Sequence, residues 1–248
     1  MNRLAVSGVS FTYRRSFWRS FTGSHRSVIG PIELLLDHGF YALVGPNGSG
    51  KTSLMKLLAG ILLPDEGRIV VHKGDQKEEH PWIKQYVGYV PQLISVYEQM
   101  RVKEYLTYIA KLKLVSDESI HRSITEALKS VRLTEEATRR IEQLSAGQRR
   151  RLMIAQALLG PSHILLLDEP FTGLDIEERE QILQLLSSLA ADRIIIAAHH
   201  LLDMKNPPFR ELISMREGRI IDRIAMKEVL RQGTLEDYYF SIQSSANW

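Results

Sequence analysis

The chain has 248 residues, 44% hydrophobic and 25% charged, with a formal net charge of +3 and no cysteine. That composition suits a soluble globular protein with one large core and room for an inserted subdomain, and it excludes a disulfide framework and thiol chemistry. The longest apolar runs, such as Ile164 to Leu167 and Ile194 to Ala198, fall far short of the roughly 20 residues of a membrane span, and Met1 to Ser10 has no apolar signal-peptide core.

Residues 3–12 and 28–36 carry strand-like patterns. Between them, Arg14 to Ser27 is basic and aromatic without a clear period, and is expected to be a loop. Phe40 to Val44 predicts a buried strand and Ser53 to Ala59 a helix. Arg68 to His72 and Val87 to Val90 predict further strands, the second ended by Pro91. From about residue 98 to 143 the pattern turns helical: Val102, Leu106, Ile109, Ala110 and Leu112 share one face. Ser116-Asp117-Glu118 and Thr134-Glu135-Glu136 look like helix starts. A helix over Arg149 to Leu159 is stopped by Gly160-Pro161. Ile164 to Leu167 and Arg193 to Ala197 predict strands buried on both faces, as in a parallel sheet, joined by a helix over Glu177 to Leu189. Glu211 to Met215 and Arg219 to Ile224 flank Glu217-Gly218 as a hairpin. Met226 to Phe240 is expected to close the chain as one helix.

The run Gly45-Pro46-Asn47-Gly48-Ser49-Gly50-Lys51-Thr52 fits G-x-x-x-x-G-K-[ST], the phosphate-binding loop pattern of nucleotide triphosphatases. Glycines let the backbone turn and aim its N–H groups at phosphate oxygens, where a Cβ would obstruct. Lys51 is a point charge for the β- and γ-phosphates, and the Thr52 hydroxyl suits Mg²⁺. The strand before it and the helix opening at Ser53 after it place the phosphates at a helix N-terminus. Ile164 to Leu167 runs into Asp168-Glu169. At the C-terminal end of a parallel strand these carboxylates fall beside the phosphate loop. Asp168 suits Mg²⁺, directly or through water, and Glu169 suits a base for the attacking water. A second anion site is legible in Leu144-Ser145-Ala146-Gly147-Gln148: a hydroxyl and bare N–H groups just before a helix.

With these motifs the chain resembles the ATP-binding-cassette ATPases, the motor subunits of ABC transporters. The order matches across nearly the whole chain: phosphate loop, Gln92 after Gly88-Tyr89-Val90-Pro91, a helical insert, the Leu144–Gln148 signature, Asp168-Glu169, Gly173-Leu174-Asp175 and a histidine. One departure is Ala146, where the family usually has glycine. The resemblance implies an α/β fold: a P-loop core with a parallel sheet, an antiparallel β-subdomain and a helical subdomain inserted at 93–143, all within one ATPase domain spanning 1–248. It implies ATP and Mg²⁺ as cofactors. Two cassettes, identical or not, would pair head to tail: Gly45 to Ser53 and Asp168 of one copy hold phosphate and metal, while Ser145, Gly147 and Gln148 of the other clamp the same ATP. Gln92 would sense the γ-phosphate and ligate the metal alongside Thr52 and Asp168. Asp175 would bridge across the dimer. The switch histidine is His199 or His200, and the family's ending aligns better with Ala198-His199-His200-Leu201-Leu202-Asp203, favouring His200. Adenine would stack on Tyr13, with Phe17 and Trp18 as rivals.

Val96 to Ala110 and Thr234 to Phe240 resemble the bacterial branch that exports drugs, antibiotics and peptides. That branch implies a peripheral protein on the cytoplasmic face of the cell membrane, docked on a permease through Leu93, Ile94, Val96, Tyr97 and Met100. No nucleic-acid partner is expected. The alternative is a soluble cassette switch acting on nucleic acid or ribosomes; such relatives usually carry two cassettes or a coiled-coil insert.

Overall fold

A computed structural model describes residues 2–13, 29–74, 76–93, 96–199, 204 and 207–245. The stretch from Arg14 to Ser27, Ile94, and His200 to Asp203 lie outside the described residues.

Alternating apolar residues build the first sheet. Strands β1 (Asn2–Phe11), β2 (Ile29–Asp37), β4 (Glu66–Lys73) and β5 (Gln76–Glu79) form an antiparallel sheet in the order β2-β1-β4-β5. The second sheet is built at its centre from the runs Phe40–Val44, Ile164–Leu167 and Ile194–Ala198, apolar at every position, so both faces must be covered there. Its order is β10-β9-β3-β8-β7-β6, from β3 (Gly39–Val44), β6 (Val87–Val90), β7 (Ile164–Asp168), β8 (Ile194–Ala198), β9 (Glu211–Arg216) and β10 (Arg219–Ala225). All run parallel except β10, which pairs antiparallel with β9 across the expected hairpin.

The two-residue period of these strands splits the core in two. Phe40, Ala42, Leu165, Leu167, Ile195 and Ala197 face one cluster, shared with helices α2 (Val102–Leu112), α3 (Asp117–Ser130), α4 (Ala146–Leu158) and α5 (Ile176–Leu189). Tyr41, Leu43, Ile164, Leu166, Ile194 and Ile196 face the other, shared with the antiparallel sheet and α1 (Lys51–Leu58). Each fully buried Leu or Ile here contributes roughly 1.5–3 kcal/mol over an exposed position.

The structure corrects three expectations. Thr134 begins only a short 3₁₀ turn, Glu135–Thr138. There the chain is held extended against the start of α2: Val102 N–H donates to Arg139 O (3.0 Å), and Ile141 N–H to Met100 O (3.0 Å). The closing helix divides into α6 (Met226–Gln232) and α7 (Leu235–Ser245). The break is at Gly233, φ +150°, and Thr234 caps the second piece by accepting from Asp237 N–H at 3.1 Å. Helix α4 opens at Ala146, three residues before the expected Arg149, because Ser145 caps it.

Candidate functional site

Register brings the two halves of the first site together. Ala198 on β8 pairs with Leu43 on β3 and with Asp168 on β7. The phosphate loop and the two acids therefore leave the sheet at the same edge, with one strand between them, about 10 Å apart at the backbone. Gly45 has no room for a side chain: a Cβ there would lie 2.3 Å from Met215 O. Gly50, φ 101°, precedes α1 without any side-chain cap, so the N–H groups of the first turn are left for a ligand.

Lys51 folds back over the loop, its Nζ donating to Gly45 O (2.8 Å) and Pro46 O (3.1 Å). Burial pushes its pKa down, while the carboxylates of Glu169 and Asp168 act against that shift. Asp168 is 2% and Glu169 7% exposed. Glu169 adopts φ 53°, a left-handed conformation that costs a non-glycine residue and is found at functional sites. Its N–H donates to Ala198 O at 2.8 Å, and Thr172 Oγ1–H donates to its carboxylate at 3.1 Å. Tyr89 lies near Asp168, and burial together with that carboxylate raises the pKa of the tyrosine. Residues Asn47 to Ser53, Gln92, Asp168 and Glu169 line one cavity of about 250 Å³.

The signature forms a separate end. Ser145 Oγ accepts from Gln148 N–H (3.1 Å), and Gln148 Oε1 accepts from Ser145 N–H (3.0 Å), a reciprocal capping box. Gln148 also donates to Glu136 (2.8 Å). The remaining donors point at one acceptor: Ser145 Oγ–H and Gly147 N–H both donate to Glu178 Oε1, at 3.2 and 3.1 Å. Asp175 caps α5, its Oδ1 accepting from Glu178 N–H at 2.8 Å. None of these signature residues lines the phosphate-loop cavity. At its far end α4 is capped by Lys113, whose Nζ donates to Gln156 O (2.8 Å), Ala157 O (3.3 Å) and Leu159 O (3.0 Å).

Residues 33–172 match the family model for ABC transporters. The chain belongs to the ABC transporter family. It is an ABC ATPase and binds ATP. It is 32% identical over 202 residues to the uncharacterised ABC transporter ATP-binding protein YxlF of Bacillus subtilis, covering 82% of this chain and 67% of that one. It is 31% identical over 204 residues to the probable multidrug ABC transporter ATP-binding protein YbhF of Escherichia coli, covering 82% of this chain and 35% of the relative. Relatives at 32% identity include the import ATP-binding proteins for spermidine/putrescine in Vibrio cholerae and for molybdate/tungstate in Methanocaldococcus jannaschii. The chain spans about two thirds of the first relative and about a third of the second. Among solved structures, cbiO1 from Clostridium perfringens, part of the ABC transporter complex cbiONQ, superposes with a TM-score of 0.76 at 26% identity, covering 92% of this chain and 90% of that one.

The expected ABC site residues thus fall into two groups. The phosphate loop, Gln92, Asp168 and Glu169 converge on one cavity, where Thr52, Gln92 and Asp168 offer only oxygen donors, a set that fits Mg²⁺. Tyr13 stands beside it, half exposed, its ring 4.8 Å edge-on from Phe11 and its hydroxyl 3.4 Å from Ser53 Oγ. Ser145, Gly147, Gln148 and Asp175 make the other group. His200, Phe17 and Trp18 lie outside the described residues. His199 is fully buried, stacked on Phe209 at 5.2 Å with its edge to Phe171, the packing of a core residue at a strand end. Sequence reasoning missed Glu178, Tyr89 and Thr172. Only Thr172 carried a signal, its place three residues after Glu169.

Among the described residues, no helix is long and apolar enough to cross a membrane. Of the expected docking segment, Leu93 and Tyr97 are 83% and 57% exposed, whereas Val96 and Met100 pack partly against the core.

Proposed function

We propose that this chain is the ATP-hydrolysing subunit of an exporter, working at the cytoplasmic face of the membrane on a separate permease, and that two copies pair head to tail around two ATP molecules. The observation that carries this reading is the separation of its two phosphate-binding ends. The loop cavity contains no signature residue, so a signature can complete it only from another chain. Because each chain carries both ends in full, two identical copies suffice.

In this reading Lys51 and the N–H groups from Asn47 to Thr52 hold the phosphates, and Tyr13 stacks on the adenine. Thr52, Gln92 and Asp168 would hold Mg²⁺, which when bound neutralises phosphate charge. Glu169 accepts a proton from the attacking water, with Thr172 fixing the carboxylate. His200 contacts the γ-phosphate. Ser145, Gly147 and Gln148 reach the same phosphate from the partner, and Asp175 meets the partner across the dimer. The segment 93–143 acts as an inserted helical subdomain. The exposed Leu93 and Tyr97, with Met100, receive a helix of the permease. Export, rather than import, rests on the exporter-like stretches at 96–110 and 234–240 and on the similarity to a probable multidrug protein.

Glu169→Gln tests the chemistry. ATP binding should persist, while turnover falls by at least about a hundredfold, the range for loss of a general base. Near-wild-type phosphate release by this variant, measured with the membrane partner present, would refute the assignment.

A further inference from the structure

The capping residues of the two helices leave the Gly147 N–H without an acceptor, and Glu178 supplies it. Ser145 and Gln148 cap α4, and Asp175 caps α5. The Glu178 carboxylate reaches from the first turn of α5 onto the N-terminus of α4. There it takes the Ser145 hydroxyl and the Gly147 amide at 3.2 and 3.1 Å. These are the two donors that the proposed function assigns to the partner's γ-phosphate. The approach is close enough that a Cβ on Gly147 would lie 2.4 Å from Glu178 Oε1. One oxygen bearing negative charge thus receives both donors and faces the positive end of the helix dipole, as a phosphate oxygen would.

We propose that Glu178 is an internal stand-in for the γ-phosphate, closing the signature of a lone chain until ATP on a partner displaces it. The inference rests on the reading of the signature as the partner's ATP clamp. Two anions cannot share the same donors, so the carboxylate must swing away when the dimer closes. Glu178 is only partly buried, which makes that displacement possible, since water takes over the released charge. The same feature keeps the barrier modest. Asp175 is tied to the event, because its carboxylate holds the amide of the residue that must move. In effect Glu178 raises the ATP concentration needed for pairing and keeps the signature from binding free phosphate in the monomer.

The experiment follows ATP-driven dimerisation by sedimentation velocity in the Glu169→Gln background, where hydrolysis is slow. Adding Glu178→Gln keeps a hydrogen-bonding side chain of the same size and removes the competing charge. Half-maximal pairing should then need roughly three- to tenfold less ATP, the worth of one or two exchanged hydrogen bonds. An unchanged or higher requirement overturns the inference. Ser145→Arg in the same background separates the two claims. If it abolishes the dimer while Glu178→Gln has no effect, the clamp reading stands and the stand-in falls. If the dimer survives Ser145→Arg, both fall. A second measurement needs no variant that must fold. The Gly147 amide sits in the first turn of α4, where backbone gives it no acceptor. In the wild-type chain without nucleotide its hydrogen exchange should be slowed by Glu178; exchange at the rate of an open helix end overturns the proposal.

Discussion

The two ends of this chain proposed to bind phosphate are built on opposite principles. The loop end is buried and poised: Lys51, Asp168 and Glu169 are each less than a tenth exposed, and the bare first turn of α1 faces a cavity. The signature end is more open, with Ser145 exposed and Gln148 and Glu178 only partly buried, and its Ser145 and Gly147 donors are already taken by Gln148 and Glu178. The difference follows from strand register. Loop and acids emerge from the C-terminal ends of neighbouring strands, so the fold itself assembles them and supplies the low-dielectric surroundings that strengthen their charges. The signature hangs on a helix outside that junction and has no comparable wall. A site assembled by the fold needs no second chain to order it, whereas the signature, in the proposed reading, is held by Glu178 until a partner's ATP reaches it.

Three experiments probe this contrast, beginning with the Glu169→Gln loss described above, the largest expected effect. Next comes the histidine pair, at the loop end. His200→Ala should lower turnover about tenfold or more, the scale of one lost hydrogen bond to a charged group. His199→Ala empties a buried place between Phe209 and Phe171 and should cost about 2–4 kcal/mol of stability, with turnover per folded chain little changed. The reverse pattern, read from phosphate release and urea unfolding, would shift the switch by one residue. The smallest effect belongs to the signature helix, at the end opposite Ser145. Lys113→Met keeps the side-chain bulk but strips three carbonyls at the end of α4 of their donor. It should cost about 1–3 kcal/mol in urea unfolding while nucleotide affinity at the distant loop is unchanged. Weaker nucleotide binding would mean that the end of α4 and the loop are more tightly coupled than their separate settings imply.

The same contrast governs what could be read in advance. Glycine, lysine and threonine at fixed spacing are demanded by the backbone that wraps a phosphate, so the loop was legible. So was the apolar strand ending in Asp168, because burial on both faces leaves few residue types. Glu178 was not, since an acid in the first turn of a helix is already explained by the helix dipole. Tyr89 looked like ordinary strand content until the register set it beside Asp168. Strand β5, Gln-Lys-Glu-Glu, is a sheet edge that buries little and so carries no alternation to detect. The break at Gly233 was readable, because Thr234 and Asp237 repeat a capping pattern, but the longer helical period hid it.

The central claim is that one ATP is worked on by two chains, and mixing tests it most directly. Lys51→Ala should be inactive because it cannot hold phosphate, and Ser145→Arg because it cannot clamp the partner's. Mixed, they form pairs in which the intact loop of the Ser145→Arg chain meets the intact signature of the Lys51→Ala chain. Phosphate release should therefore return on mixing two inactive preparations. A mixture no more active than its parts, or a Ser145→Arg chain that turns over ATP at the wild-type rate alone, would contradict the account.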